Sequence, residues 1–185
     1  MVEIEVDRRA MARVERVLRG VPNGSKRAIS NATNRAIIKG RTIISRGITK
    51  KFTIKSAAVK NTLSLEKSTI SRLGGSVTSA APVTTLISFK TNPNKVTSKR
   101  PNMLKVSVKK GSAKPIPGAF IAKTKSGHVG VFKRSNGTRL PIAQLMGPSI
   151  PYMAKPQDIS DDVKAEMINM FNTRLNHEIS RLLNK

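Results

Sequence analysis

The hydrophobic pattern of this chain changes period twice. Val2, Ile4 and Val6 alternate with Glu3, Glu5 and Asp7, the period-two signature of a strand. Asp7 then stands where it can cap a short helix that carries Met11, Val14, Val17 and Leu18 on one side, and Gly20, Pro22 and Gly24 stop that helix. Ser25 is positioned to cap the next one. Over 26–50, Ala28, Ile29, Ala32, Ala36, Ile37, Ile43, Ile44 and Ile48 recur at helical spacing, opposite Arg27, Asn31, Asn34, Arg35, Arg41, Ser45 and Arg46. Ile38 interrupts the polar face and implies a second contact. Gly40 and Gly47 each weaken the helix by about 1 kcal/mol relative to Ala, and they allow close backbone approach.

After a short helical turn at Ser56–Lys60 the period shortens to two. Strands are expected over 61–69, 71–80, 103–110, 116–123, 128–134 and 138–142, with Gly74-Gly75 marking a turn or bulge. The polar stretch 91–102 reads as a long loop of the kind that serves a function or stays disordered. Thr124–His128 joins Phe120–Lys123 to Val129–Phe132 as a hairpin. Asn136-Gly137 suggests a type I′ turn leading into Arg139–Ile142, where Pro141 demotes the last strand to an edge. Residues 147–151 form a rigid Gly-Pro connector. Helical periodicity then returns over 159–183, capped by Asp158 or Ser160, with an apolar stripe of Val163, Met167, Met170, Phe171, Leu175, Ile179, Leu182 and Leu183.

These elements predict an α+β fold: an antiparallel β-sheet or small barrel-like sheet, a long basic helix in the N-terminal half and a C-terminal amphipathic helix. The expected organisation is one α+β domain over 1–157, with its basic loop near 91–102. The helix of 158–185 would pack on that domain or on a neighbouring subunit. No apolar run approaches the ~20 residues of a membrane helix. The N-terminus lacks the basic and apolar regions of a secretory signal.

Charge changes the picture most. The net charge is +25 from 35 Lys and Arg against 10 Asp and Glu. Both ends are nearly balanced. Residues 23–157 hold 26 of the basic residues and one acid, Glu66. Such a segment cannot neutralise itself by internal ion pairs. Two readings stand: a solvated cationic surface, or a surface that meets a polyanion or an acidic partner. Candidate contacts are Arg27, Arg35, Arg41 and Arg46 on the basic helix, Lys95, Lys99 and Arg100 in the loop, Lys105, Lys109, Lys110 and Lys114 beyond it, and Lys133, Arg134 and Arg139 at the hairpins. With five Phe, one Tyr and no Trp, base stacking is poorly supplied. Contact with DNA would therefore be to the backbone.

Catalytic chemistry is poorly supplied too. The middle segment offers His128 and Glu66 and little else for acid–base work. His177 and Glu178 are adjacent on a helix and face different ways. There are no cysteines, so thiolate metal sites and disulfides are excluded. His and carboxylates are not grouped as metal ligands, and no nucleotide or hydrolase motif occurs. No cofactor is expected.

Gly118–Ala122, Ser126–Arg134, Arg139–Ile142 and Gly147–Ile150, in this order and spacing, resemble the minor tail protein Z family of tailed bacteriophages, the lambda-type tail-completion proteins. The preceding basic helix and the following helix with His177-Glu178 are similar as well. Within the motif, Gly127, His128, Phe132, Gly147 and Pro148 suggest structural roles. The resemblance implies a non-enzymatic virion protein, made in the host cytoplasm, at the head-proximal end of the tail. It would complete the tail for joining to the head and uptake of the DNA end. Tail-terminator and head–tail connector proteins are the implied neighbours, with self-association in a ring or collar. The other reading of the residues is a basic protein outside any virion that binds nucleic-acid backbone without sequence specificity.

Overall fold

The protein was described from a computed structural model covering residues 2–4, 8–97 and 103–184. In chain order the elements are β1 (Val2–Ile4), α1 (Arg8–Val17), α2 (Gly24–Lys51), α3 (Ser56–Asn61), β2 (Leu63–Glu66) and β3 (Gly75–Ser79). A 3-10 turn at Leu86–Ser88 follows. Then come β4 (Lys90–Asn92), β5 (Leu104–Ser107), β6 (Ala113–Ile116), β7 (Ala119–Lys123), β8 (Val129–Arg134) and β9 (Ile142–Gln144), and last α4 (Ile150–Ala154) and α5 (Gln157–Leu183). The α+β class holds, with all pairing antiparallel. The strands form three separate three-stranded sheets, ordered β1-β3-β2, β4-β5-β6 and β7-β8-β9, rather than one sheet or a barrel.

The chain makes two compact units. The first comprises residues 1–45, 63–80 and 155–185; the second comprises 46–62 and 81–154. Helix α2 contributes to both, since the division falls between Ser45 and Arg46.

In the first unit, Val14 and Leu18 from α1, Ala28, Ile29 and Ala32 from α2, and Leu175 and Leu182 from α5 form one buried cluster. The C-terminal stripe is thus core, though Leu183 is left exposed. Val17, expected on the apolar side of α1, is also exposed. Two glycines set packing distances. A Cβ at Gly40 would press on the Met167 thioether, and one at Gly75 would meet Ile37 and stand 2.5 Å from the Glu66 carbonyl oxygen.

Part of the polar face of α2 also turns inward. Ser30 Oγ and Asn34 Nδ2 each donate to the Ser68 carbonyl at 3.0 Å, and the Ser68 N–H donates to Asn34 Oδ1 at 2.9 Å. The helix thereby satisfies backbone groups of the β2–β3 connection that a buried Ser68 would otherwise leave unpaired. Ser45, assigned to the solvent side by its spacing, is buried, while Ile38 is exposed.

Glu178 on α5 is buried as well. Burial pushes its carboxyl up. The Asn31 amide at 3.1 Å, the Arg181 guanidinium at 2.7 Å, and the charges of Arg181 and Arg174 outweigh that and hold it below the ordinary glutamate value. On the same unit Arg72, at 2.7 Å, lowers Glu66 by hydrogen bond and charge, helped by the Ser76 hydroxyl.

Several local expectations are corrected. Helix α2 starts at Gly24, so Ser25 lies inside its first turn and is not the cap. Asn23, at φ 54°, makes the preceding bend. The strand expected over 61–69 is shortened because α3 runs through Asn61, and the one over 71–80 starts only after Gly74, whose φ is 117°. The strand over 103–110 is confined to Leu104–Ser107. Gly118, at φ 73°, splits the expected 116–123 strand into β6 and β7. The last strand begins at Ile142, and the loop before it runs from Ser135 to Pro141, closed by Ser135 N–H to the Pro141 carbonyl at 3.2 Å. Type I′ geometry requires positive φ at both central residues. Only Gly137 has it, so Asn136-Gly137 is not that turn. The start of the expected 91–102 loop is strand β4, and the Gly-Pro connector runs directly into α4. Helix α5 begins at Gln157 after Pro156 with no side-chain cap, so neither Asp158 nor Ser160 caps it. Asp7, Lys99 and Arg100 lie outside the described residues.

Two outcomes are expected in the first unit. Gly75→Ala lowers unfolding free energy by about 1–3 kcal/mol, because the new methyl meets an immovable carbonyl. Gly40→Ala costs less: Met167 can move, and helix propensity returns about 1 kcal/mol. Urea denaturation of the two variants measures the difference. Second, the Glu178 carboxyl titrates lower in the folded than in the unfolded chain. Its contribution is complete above the unfolded-state value and is lost as pH falls through the folded value. Glu178→Gln should therefore lower stability at pH 7 and flatten its fall below about pH 5, as read by denaturation at a series of pH values.

Candidate functional site

The two units differ sharply in charge. All ten acidic residues fall in the first unit, Glu66 included. The second unit holds 18 of the 35 Lys and Arg and no Asp or Glu at all. The acid-poor middle of the sequence is thus an acid-free folded unit. The first unit uses its carboxylates on its own cations, in Lys39–Glu166 at 3.1 Å, Arg72–Glu66 and Arg181–Glu178. No such pairing is possible within the second.

The sheet β4-β5-β6 gathers part of this charge on one face. The register places Lys90 opposite Ser107 and Asn92 opposite Lys105, with Pro115 and Ala113 continuing the same face on β6. Successive residues of a strand point to opposite faces. Thr91, Leu104 and Val106 therefore point the other way, and all three are buried. Lys90, Asn92, Lys105, Ala113 and Pro115 are exposed. Lys90 and Lys105 are diagonal neighbours on that face, about 7–8 Å apart.

The end of α2 is tied to this sheet within the second unit. Thr53 N–H donates to the Val108 carbonyl at 3.0 Å and Lys110 N–H to the Lys51 carbonyl at 2.9 Å. The Thr53 hydroxyl accepts the Lys90 N–H at 3.0 Å and donates to the Ser107 carbonyl. These bonds bring Lys55 and Lys110 to the rim of an open cleft of about 890 Å³, lined also by Thr53, Lys90 and Ser107. A smaller hollow of about 340 Å³ shares Lys90 and Ser107 and adds Lys105.

The sequence-expected contact residues are scattered over both units. Arg27 and Arg35 are exposed on α2 in the first unit, and Arg46 is exposed on α2 in the second. Arg41 is half-buried, its Nε shielded without a hydrogen-bond partner. Lys95 is exposed after β4, and Lys133 and Arg139 are exposed around the β8–β9 loop. Arg134 lies 5.9 Å from the centroid of the Phe120 ring, a cation–π contact, which makes it partly structural.

The motif residues have packing roles. Gly127, at φ 87°, makes the β7–β8 turn. Phe132 is buried, 6.4 Å from Phe120 between ring centroids. Gly147 abuts the Phe89 ring, where a Cβ would stand 2.7 Å from Cε2, and Pro148 beside it is half-buried. His128 is exposed, with Nε2 2.8 Å from the Gln144 amide nitrogen. Lys55 and Lys90 escaped the sequence reading. The signal for Lys90 was the alternation of a three-residue strand inside a polar stretch; Lys55, just before α3, carried none.

Among the described residues no helix is long and apolar enough to cross a membrane, and no three His, Asp or Glu converge as metal ligands. The family model for prophage minor tail protein Z (GPZ) matches residues 4–185. No curated protein and no solved structure matches.

An acid-free unit repels itself, and salt screens that repulsion; the Debye length falls from about 30 Å at 0.01 M to about 8 Å at 0.15 M. The melting temperature is expected to rise by several degrees over that range. A flat or falling profile in scanning calorimetry would contradict it.

Proposed function

Because the chain belongs to the minor tail protein Z family of structural phage tail proteins, we propose that it completes the head-proximal end of the tail and supports head–tail joining and DNA passage. Tail-terminator and head–tail connector proteins are its neighbours in this reading, and copies of the chain associate in a ring or collar. The observation that carries it is the second unit, with 18 cations and no carboxylate. A fold that leaves so much like charge uncompensated gains most where polyanionic DNA or acidic protein surfaces supply the counter-charge. The first unit, with its buried apolar cluster and carboxylates that pair some of its cations, supplies a body for protein contacts.

Mass spectrometry of purified virions tests the assignment. The protein is expected in complete particles and in tails isolated before joining. Loss of its gene is expected to leave tails of normal length that do not form infectious particles with filled heads. Absence from complete virions would refute the structural role and favour a nucleic-acid-binding protein outside the particle.

A further inference from the structure

We infer that the open face of the β4-β5-β6 sheet, with the cleft beside it, is a binding platform for the phosphate backbone of duplex DNA. Four ammonium groups define it: Lys90 and Lys105 on the strands, Lys55 and Lys110 at the rim. This deepens the reading above, from which it takes the presence of DNA; the location and the ligand chemistry come from the structure.

Two observations separate phosphate from an acidic polypeptide, and a third separates the backbone from the bases. First, the exclusion of carboxylates extends over the whole second unit. A long uniform polyanion disfavours every nearby carboxylate, whereas a protein surface mixes signs and leaves room for some. Second, the sheet face itself carries no large apolar side chain apart from Pro115, the others being Lys90, Asn92, Lys105 and Ala113. Peptide docking relies on buried hydrophobic hot spots, yet the unit's large exposed hydrophobics, such as Leu140, Met146 and Tyr152, line neither hollow. Of the cleft's large apolar residues, Phe89 is only 4% exposed and Ile87 is half-buried. Third, the one exposed aromatic, Tyr152, lies outside the site, so bases have nothing to stack on. What remains is a sequence-independent set of cations that neutralise phosphates and release counterions.

The frame is also preset. Thr53 holds the edge of β4 to β5 through both hydrogen bonds of its hydroxyl, so Lys90 and Ser107 keep their relation without a ligand. Placing Lys90 and Lys105 as same-face neighbours is unfavourable in the free protein. A bound phosphate between them relieves that repulsion.

The test uses the full chain and a random-sequence duplex of about 20 base pairs, titrated at several salt concentrations. Replacing Lys55, Lys90, Lys105 and Lys110 together by Gln is expected to weaken binding at least tenfold at about 0.1 M salt. It should also reduce the slope of log K against log salt by about 3–4, since each lost phosphate contact removes roughly 0.9. A control with Lys26, Lys67, Lys155 and Lys164 of the first unit changed to Gln is expected to keep the wild-type slope to within about half a unit. If the control flattens the slope equally, binding is diffuse and the platform is overturned. Failure of the wild-type chain to bind duplex while it binds polyglutamate would overturn it in favour of an acidic polypeptide. Circular dichroism monitors folding. If the fourfold variant does not fold, Lys90→Gln and Lys105→Gln singly should each lower the slope by about 1, and no change in either overturns the site. A protein found in virions that fails these tests loses the platform but keeps its structural role. One that passes them yet is absent from virions loses the role and keeps the platform.

Discussion

Like charge without internal compensation is the constraint on which the second unit is built. With no carboxylate among its residues, it cannot lower its electrostatic energy by pairing. It can only spread its cations into solvent and keep them off the core. The alternation of the strands does this. On β5, Lys105 points out while Leu104 and Val106 point in, and on β4 Lys90 and Asn92 flank a buried Thr91. Buried Phe52, Ile54, Phe89 and Val131 hold the unit together in place of ion pairs. Burying a large apolar side chain contributes about 1.5–3 kcal/mol, so a handful of them offsets the repulsion of well-solvated lysines.

The first unit solves a different problem with the opposite means. Three of its acids, Glu66, Glu166 and Glu178, are placed against its own cations, and several of its buried polar groups are matched individually. Asn34 accepts from the N–H and donates to the C=O of a single residue, Ser68, and Glu178 is surrounded by Asn31 and Arg181. Matched polar groups of this kind specify geometry more than they add net stability, because an unmatched partner in the same place costs more than the pair contributes. One unit thus compensates part of its charge internally, with ten carboxylates among its residues. The other has none.

The sequence carried the helices and the charge, and less of the sheets. A long helix over 26–50 and another near 159–183 were legible because many apolar positions repeat at one period. The acid-poor middle was legible by counting. The assignment of Glu66 to the other unit was not, since that depends on β2 pairing with β3. Strand ends were misplaced where glycines with positive φ interrupt continuous β-like composition, at Gly74 and Gly118. Ser45 and Asn34 were assigned to solvent by periodicity, which carries no record of a neighbouring backbone that needs partners. The platform lysines were half legible: Lys105 and Lys110 stood out as basic, while Lys55 and Lys90 are joined to them only by the fold.

The stretch that carries the family resemblance, residues 118–150, behaves as scaffold. Gly127 turns the chain, Phe120 and Phe132 pack, Arg134 lies against Phe120, and Gly147 makes room for Phe89. The charged face with a cleft lies mainly on β4 and β5, upstream of that stretch. Packing roles need particular residues at particular places, because a methyl added at Gly147 has nowhere to go. A backbone-binding face needs only enough cations at roughly the right spacing, so any one lysine is replaceable by another nearby. Recognisable residues and ligand-bearing residues therefore separate along this chain. The motif tells which fold is present, and the charge placed on that fold determines what it can hold.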